Sequence, residues 1–133
     1  MRVRTNGLLI ADMCGADKQV IEFFALYHDC MRFNDGGDFK HGDRGSEKAY
    51  KHWKEGLIDI DKSQIELLCE ACRHHTGGGN SPGNVTIGAC WDADRLDLGR
   101  IGIRPDPKRL CLSEHYDRAF IDKCVQRSQC KWG

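Results

Sequence analysis

Apolar residues recur along this sequence at helical spacing, and no run alternates between apolar and polar residues as a half-buried strand would. Turns rich in glycine, asparagine and aspartate separate the apolar segments. The pattern predicts helices over residues 5–15, 16–29, 43–57, 61–75, 85–103 and 113–128, with a polar loop over 30–45 and a glycine-rich loop over 76–84. We therefore expect an all-α fold in which the helices pack around the second and the fifth.

The second predicted helix, "ADKQVIEFFALYHD" over residues 16–29, is apolar on nearly every side except at Glu22. Such a helix is typical of the centre of a domain. It ends on His28 and Asp29, directly behind the most apolar part of the chain. Burial of an unpaired charge is costly, so this doublet is expected to have a partner. A metal ion is one candidate, and a helix end whose dipole is poorly compensated is the other.

The fifth predicted helix carries a carboxylate on its apolar side. At about 100° per residue one stripe collects five apolar residues, which are Ile87, Cys90, Trp91, Leu98 and Ile101. Asp94 falls in the middle of this stripe, whereas Asp92 points to the far side. Asp94 therefore needs a cation, which is either a metal or an arginine. The candidate arginines are Arg32, Arg44 and Arg100.

The fourth predicted helix also turns a polar group inward. His75 shares a face with three apolar or small residues, Leu68, Ala71 and Cys72, while His74 lies roughly 100° away. A buried histidine with ordinary hydrogen bonds would satisfy this pattern as well. Three helices nevertheless deliver metal-competent groups towards the interior. Their nitrogen and oxygen donors suit divalent first-row metals or magnesium.

Composition narrows the class of protein. Among 133 residues, Lys and Arg total 20 and Asp and Glu total 20. Because there is no excess of basic residues to bind a phosphate backbone, nucleic acid is not the expected partner. No stretch approaches the roughly 20 apolar residues of a membrane span. Asp12 breaks the first apolar run and no small-residue cleavage site follows, so a signal peptide is not expected. The expected location is the cytoplasm.

Eight cysteines raise the question of disulfides. Five of them lie in or beside predicted helices, where free thiols behave as small apolar side chains; these are Cys14, Cys30, Cys69, Cys72 and Cys90. Reduced thiols also fit a cytoplasmic location. The alternative is a structural zinc site built on the C-x-x-C pair Cys69 and Cys72 with the nearby histidines.

Four segments in order resemble the HD superfamily of metal-dependent phosphohydrolases, in particular its small single-domain bacterial members. The family patterns "HD-x-x-R-x-ND", "HG-x-R" and "HT-x-G" correspond here to "HDCMRFND", "HGDR" and "HHTGG", and the segment "GACWDADRLDLGR" follows. The resemblance extends from residue 2 to about residue 112. It implies a single-domain, all-α helical bundle of the HD-domain type over residues 1–133.

The resemblance also implies a metal centre. In the family, the histidine–aspartate doublet and an aspartate on a later helix hold a divalent metal, which assigns the ligands here to His28, Asp29 and Asp94. His41 and His75 are then expected either to hold a second metal or to bind substrate phosphate. The metal is one of Mn, Fe, Zn, Ni or Mg.

The implied reaction is hydrolysis of a small phosphorylated substrate such as a nucleotide, with Asp29 at the reacting centre. Arg32 and Arg44, with Lys40 as a third candidate, are expected to stabilise charge on the phosphate. An ion pair with Asp35 or Asp38 is the alternative for Arg32. The substrate, the metal and the oligomeric state, a homo-oligomer included, are left open.

One departure from the family concerns the first metal ligand, a histidine on an element upstream of the doublet. In this sequence no histidine precedes His28, so the domain is expected to be short at its N-terminus. There are three alternatives for the missing ligand: the natural chain starts further upstream and includes it, a partner chain supplies it, or the site lacks it. In the last case the domain would be a catalytically impaired module that binds a nucleotide or a protein.

Overall fold

A computed structural model describes residues 2–29 and 41–129, except for the side chain of His41. Six α-helices follow one another: α1 Arg2–Cys14, α2 Lys18–Tyr27, α3 His41–Lys54, α4 Lys62–His74, α5 Val85–Arg95 and α6 Arg118–Gln129. Three short 3-10 turns lie at Leu98–Ile101, Pro107–Arg109 and Ser113–His115. No β-strand occurs within the described ranges. The predicted all-α fold class is confirmed.

Polar side chains start three of these helices. Asp17 accepts hydrogen bonds from the first free N–H groups of α2, and Asn84 does the same for α5. Asp61 and Gln64 form a capping box at the start of α4, in which each side chain bonds the backbone of the other. Because these caps satisfy N–H groups that have no partner inside the helix, they fix where each helix begins.

Helix α2 lies at the centre and contacts α1, α3, α4 and α5. Its buried side chains join those of its neighbours in one core, whose fully buried members include Ile10, Val20, Phe24, Ile65, Leu68 and Leu96. Helix α5 is buried from Thr86 to Ala93. The expectation that the second and fifth helices are central agrees with this packing.

Two glycines let α3 approach the ends of its neighbours. A Cβ atom on Gly42 would lie 2.6 Å from the carbonyl oxygen of Cys72, and one on Gly45 would meet the carbonyl oxygen of Tyr27. The start of α3 therefore packs directly on the last turn of α2 and on the last turns of α4.

The fifth helix is shorter than predicted. It ends at Arg95 rather than at residue 103, and the chain continues as a 3-10 turn to Ile101, which is 62% exposed. Gly99 packs so closely on Ser128 of α6 that a Cβ atom would not fit, and Gly102 has a φ of 80°. Both positions need glycine, and this segment folds against α6 instead of extending α5.

Three other predicted boundaries also shift. Helix α3 begins at His41, so Asp43 lies inside its first turn instead of capping it. Helix α1 begins at Arg2 and ends at Cys14, and Gly15, whose φ is 78°, follows its last residue. The final helix begins at Arg118 rather than at residue 113, because residues 113–115 form a separate 3-10 turn.

The described cysteines are all free thiols: Cys14, Cys69, Cys72, Cys90, Cys111 and Cys124. Burial raises the pKa of the Cys90 thiol well above its ordinary value, which makes this group inert at neutral pH. Across the described ranges, none of the helices has both the length and the apolar character that crossing a bilayer requires.

Candidate metal centre

His28 follows the last residue of α2 and is 6% exposed. Its Nδ1 lies 2.9 Å from the carbonyl oxygen of Phe24, one helical turn earlier. A carbonyl oxygen can only accept a hydrogen bond, so Nδ1 must carry the proton and donate it. In the neutral ring, the lone pair that can bind a metal is then on Nε2.

That lone pair faces two carboxylates. Nε2 of His28 lies 3.3 Å from Oδ2 of Asp29 and 3.5 Å from Oδ1 of Asp94, whose side chain is 20% exposed. One ligand atom from each of these three residues lies within 4.8 Å of the others. The end of α2 and the last turn of α5 therefore bring together a nitrogen and two carboxylate oxygens, from three residues that the sequence analysis named.

His75 lies on the other side of Asp29. It is 4% exposed, and its Nδ1 lies 2.7 Å from the carbonyl oxygen of Cys72, so this ring also holds its proton on Nδ1 when neutral. Its Nε2 lies 3.6 Å from Oδ1 of Asp29. The two oxygens of Asp29 thus face two different imidazoles.

Phe24 holds both imidazole rings in place. Its ring stacks on His28 with centroids 4.7 Å apart and meets the edge of His75 at 6.0 Å. Sequence analysis treated Phe24 as a core residue only. The available signal was its position four residues before His28, because side chains at this spacing lie on the same face of a helix.

The charges at this centre support one another. Burial alone would lower the pKa of His28. The hydrogen bond and the charge of Asp94, followed by the charge of Asp29 and the hydrogen bond to the Phe24 carbonyl, have the larger combined effect, so the pKa of His28 is raised above its ordinary value of 6.5. Burial alone would raise the pKa of Asp94. The hydrogen bond and the charge of His28, followed by the charge of His75, have the larger combined effect, so the pKa of Asp94 is lowered. The carboxylates therefore favour a positive charge between the side chains.

The donor set fits a divalent cation. An imidazole nitrogen and two carboxylate oxygens are suitable ligands for Mn, Fe, Zn and Ni, and the carboxylates also suit Mg. The second hydrogen bond of each histidine, to a backbone carbonyl, is the usual means of orienting a metal-binding imidazole. The residues present thus fit the metal that the sequence analysis expected.

The alternative zinc site is not formed among the described residues, where neither Cys69 nor Cys72 belongs to a group of three clustered metal-binding side chains. The thiol of Cys69 donates to the carbonyl oxygen of Ser46 at 3.6 Å, and Cys72 is fully buried. Burial raises the pKa of the Cys69 thiol, which disfavours the thiolate that zinc would bind.

The other predicted site residues are placed in part. Arg32 and Lys40 lie outside the described residues, as does the side chain of His41. Arg44 is half-buried in the first turns of α3. Gly45, the next residue, packs on the carbonyl oxygen of Tyr27, which directly precedes His28. The backbone of Arg44 therefore lies next to the end of α2.

The prediction that Asp92 points away from the interior is wrong. Asp92 is fully buried and accepts hydrogen bonds from the N–H groups of Cys111 and Leu112, at 2.7 and 2.9 Å, and from the hydroxyl of Tyr116 at 2.7 Å. Burial raises its pKa in spite of these donors. Through these hydrogen bonds Asp92 connects α5 to the segment that contains Cys111, Leu112 and Tyr116. His74, as predicted, lies away from the core and pairs with Glu70 at 3.6 Å.

Comparisons of this chain with protein-family models, with curated proteins and with solved structures each found no match. The functional interpretation therefore depends on the sequence motifs and on the geometry of His28, Asp29, Asp94 and His75.

Proposed function

We propose that this protein is an HD-type, metal-dependent phosphohydrolase that cleaves a nucleotide or another small phosphoester. One observation supports this proposal most strongly. The lone pair of His28 Nε2, fixed by the bond from Nδ1 to Phe24, faces the carboxylates of Asp29 and Asp94. A lone pair opposite two anions is unfavourable unless a proton or a metal cation lies between them, and the two carboxylates favour either one.

His28, Asp29 and Asp94 would hold this cation, and His75 with His41 is the candidate pair for a second one. When bound, a divalent cation supplies a water of lowered pKa and polarises a phosphoryl oxygen. The protein's own contribution is orientation. The backbone carbonyls of Phe24 and Cys72 orient the two imidazoles, and the ring of Phe24 stacks on His28 and packs edge-on against His75.

Asp29 is the candidate general base. Its two oxygens face His28 and His75, and as a carboxylate at the centre it could accept a proton from the attacking water. Its side chain is 37% exposed, although its Oδ1 is buried. Arg44, together with Arg32 and Lys40, is proposed to stabilise the phosphate charge.

The test compares Asp94→Ala with Asp59→Ala, a matched loss of an exposed aspartate remote from the centre. Each protein is loaded with manganese and assayed for phosphate release from 4-nitrophenyl phosphate and bis(4-nitrophenyl) phosphate. We expect Asp94→Ala to lose metal and to reduce release by at least about 100-fold, since loss of a ligand should exceed the effect of losing an outer hydrogen bond. Asp59→Ala should match the wild type.

Two results would contradict the proposal. Unchanged metal uptake by Asp94→Ala would remove both the ligand assignment and the catalytic assignment. Stoichiometric metal in the wild type with no release from either substrate would exclude a general phosphohydrolase and favour a module that only binds nucleotide or protein.

A further inference from the structure

A cavity whose lining includes none of the proposed metal ligands lies between the loop after α4 and the segment after α5. Its volume is about 360 Å³. Its walls come from these two segments and from the end of α5, and the first segment contributes Thr76, Gly77, Gly79 and Asn80. This volume is within the range of small-molecule sites, roughly 300–1,000 Å³. The cavity is large enough for a ligand of a few rings or fewer.

Three cations surround this cavity: Arg95, Lys108 and Arg109. Within the described residues, none of the three is ion-paired with a carboxylate, whereas Arg2, Arg4, Arg73 and Arg104 each are. The carboxylate that also lines the cavity, Asp106, accepts the backbone N–H of Lys108 at 3.0 Å. In a chain whose formal net charge is zero, this is a local positive excess facing a concave surface.

The backbone of the cationic wall and the guanidinium of Arg95 are held in position, whereas the side chains of Lys108 and Arg109 are exposed. One nitrogen of Arg95, Nη1, donates to the carbonyl oxygen of Arg109 at 3.0 Å, and its guanidinium lies over the ring of Trp91 at 5.5 Å. The amide of Asn80 donates to the carbonyl oxygen of Lys108 at 2.8 Å, which ties the two walls together. Nε and Nη2 of Arg95 remain for a ligand, and a fixed guanidinium loses little entropy on binding an anion.

The floor of the cavity is apolar, because Leu98, Pro105 and Leu110 also line it. Cations at the rim suit a doubly charged head group, and the apolar floor suits a hydrocarbon or aromatic body. We propose that this cavity binds a small organic phosphate, with the phosphate at Arg95, Lys108 and Arg109. The site contains none of the groups assigned to the metal centre, so this proposal stands apart from the proposed function.

The probe is phenyl phosphate, titrated into metal-free, ¹⁵N-labelled protein and followed by backbone amide shifts. We expect saturation with a Kd of about 1 mM or tighter, with the largest shifts at residues 76–80 and at Leu98. Lys108→Glu and Arg109→Glu should each weaken binding by about tenfold or more, because each replaces an attractive charge with a repulsive one. Lys123→Glu, an equal charge change at an exposed site on α6, is the matched control and should bind as the wild type does.

Phenol, which has the same ring without the charge, should not produce these shifts. Equal affinity of Lys108→Glu and Lys123→Glu for phenyl phosphate, equal binding of phenol, or shifts confined to the metal centre would each overturn the proposal. Asp94→Ala separates the two sites. It should lose metal and keep phenyl phosphate binding, whereas parallel loss of both would mean that the probe binds at the metal centre.

Discussion

Two aspartates, two residues apart on α5, have opposite roles. Asp94 faces the imidazole of His28, where the proposed cation would bind, whereas Asp92 uses its carboxylate to hold the backbone of Cys111 and Leu112. A helical wheel placed Asp94 on the apolar stripe of α5 and Asp92 on the far side, away from that stripe. That side is covered by an irregular segment with no periodic pattern, so the burial of Asp92 could not be predicted from the sequence.

Asp92→Ala should lower the free energy of unfolding by about 3 kcal/mol, because two backbone N–H groups and the Tyr116 hydroxyl would lose a buried acceptor. The measurement is urea unfolding of metal-free protein, with Asp59→Ala as the control. The folded variant should still bind one equivalent of metal. A loss below about 1 kcal/mol, or a folded variant unable to bind metal, would contradict the structural role of Asp92.

At the scale of elements, the helix starts that carry a side-chain cap were predicted to within two residues, whereas the starts of α1 and α6 were displaced by more. Asp61, Asn84 and Asp17 are polar residues at the first position of an apolar pattern, and each caps the helix that follows it. The end of α5 was missed because its apolar stripe continues to Ile101 in the sequence. The close contact between Gly99 and Ser128, which redirects the chain, joins residues far apart in sequence.

The cap of α4 provides a prediction about pH. The N–H of Gln64, then the hydroxyl of Ser63, holds the pKa of Asp61 below its ordinary value of 3.8. The charged carboxylate is thus favoured in the folded state, so its contribution is complete above pH 3.8 and is lost as the pH falls through the lower, folded pKa. Asp61→Ala should lower the urea midpoint at pH 7, and its difference from wild type should shrink below pH 3.8.

Asp59→Ala, two residues earlier, is the control and should leave the midpoint unchanged at both pH values. A difference between Asp61→Ala and wild type that stays constant down to pH 2 would show that the charge of Asp61 does not strengthen the cap.

At the scale of the whole molecule, the candidate centre is a product of packing. His28 and Asp94 are separated by two helices and three connecting segments, and they meet because α2 packs against α5 as well as α4. The sequence predicted that each polar group faces inward. It could not predict which atoms face each other, since the carbonyl bonds that fix His28 and His75 depend on the exact ends of α2 and α4. The resemblance to the HD superfamily indicated that His28, Asp29 and Asp94 belong to one site, which helical periodicity alone could not indicate.

The central claim is that one cation is shared by His28 Nε2, Asp29 and Asp94. The most direct measurement is an anomalous difference map from crystals grown with manganese. The account predicts a peak about 2.0–2.3 Å from His28 Nε2 and from an oxygen of each aspartate. A map in which manganese occupies other sites while this centre stays empty, or in which His28 Nε2 bonds directly to a carboxylate with no peak between them, would contradict it.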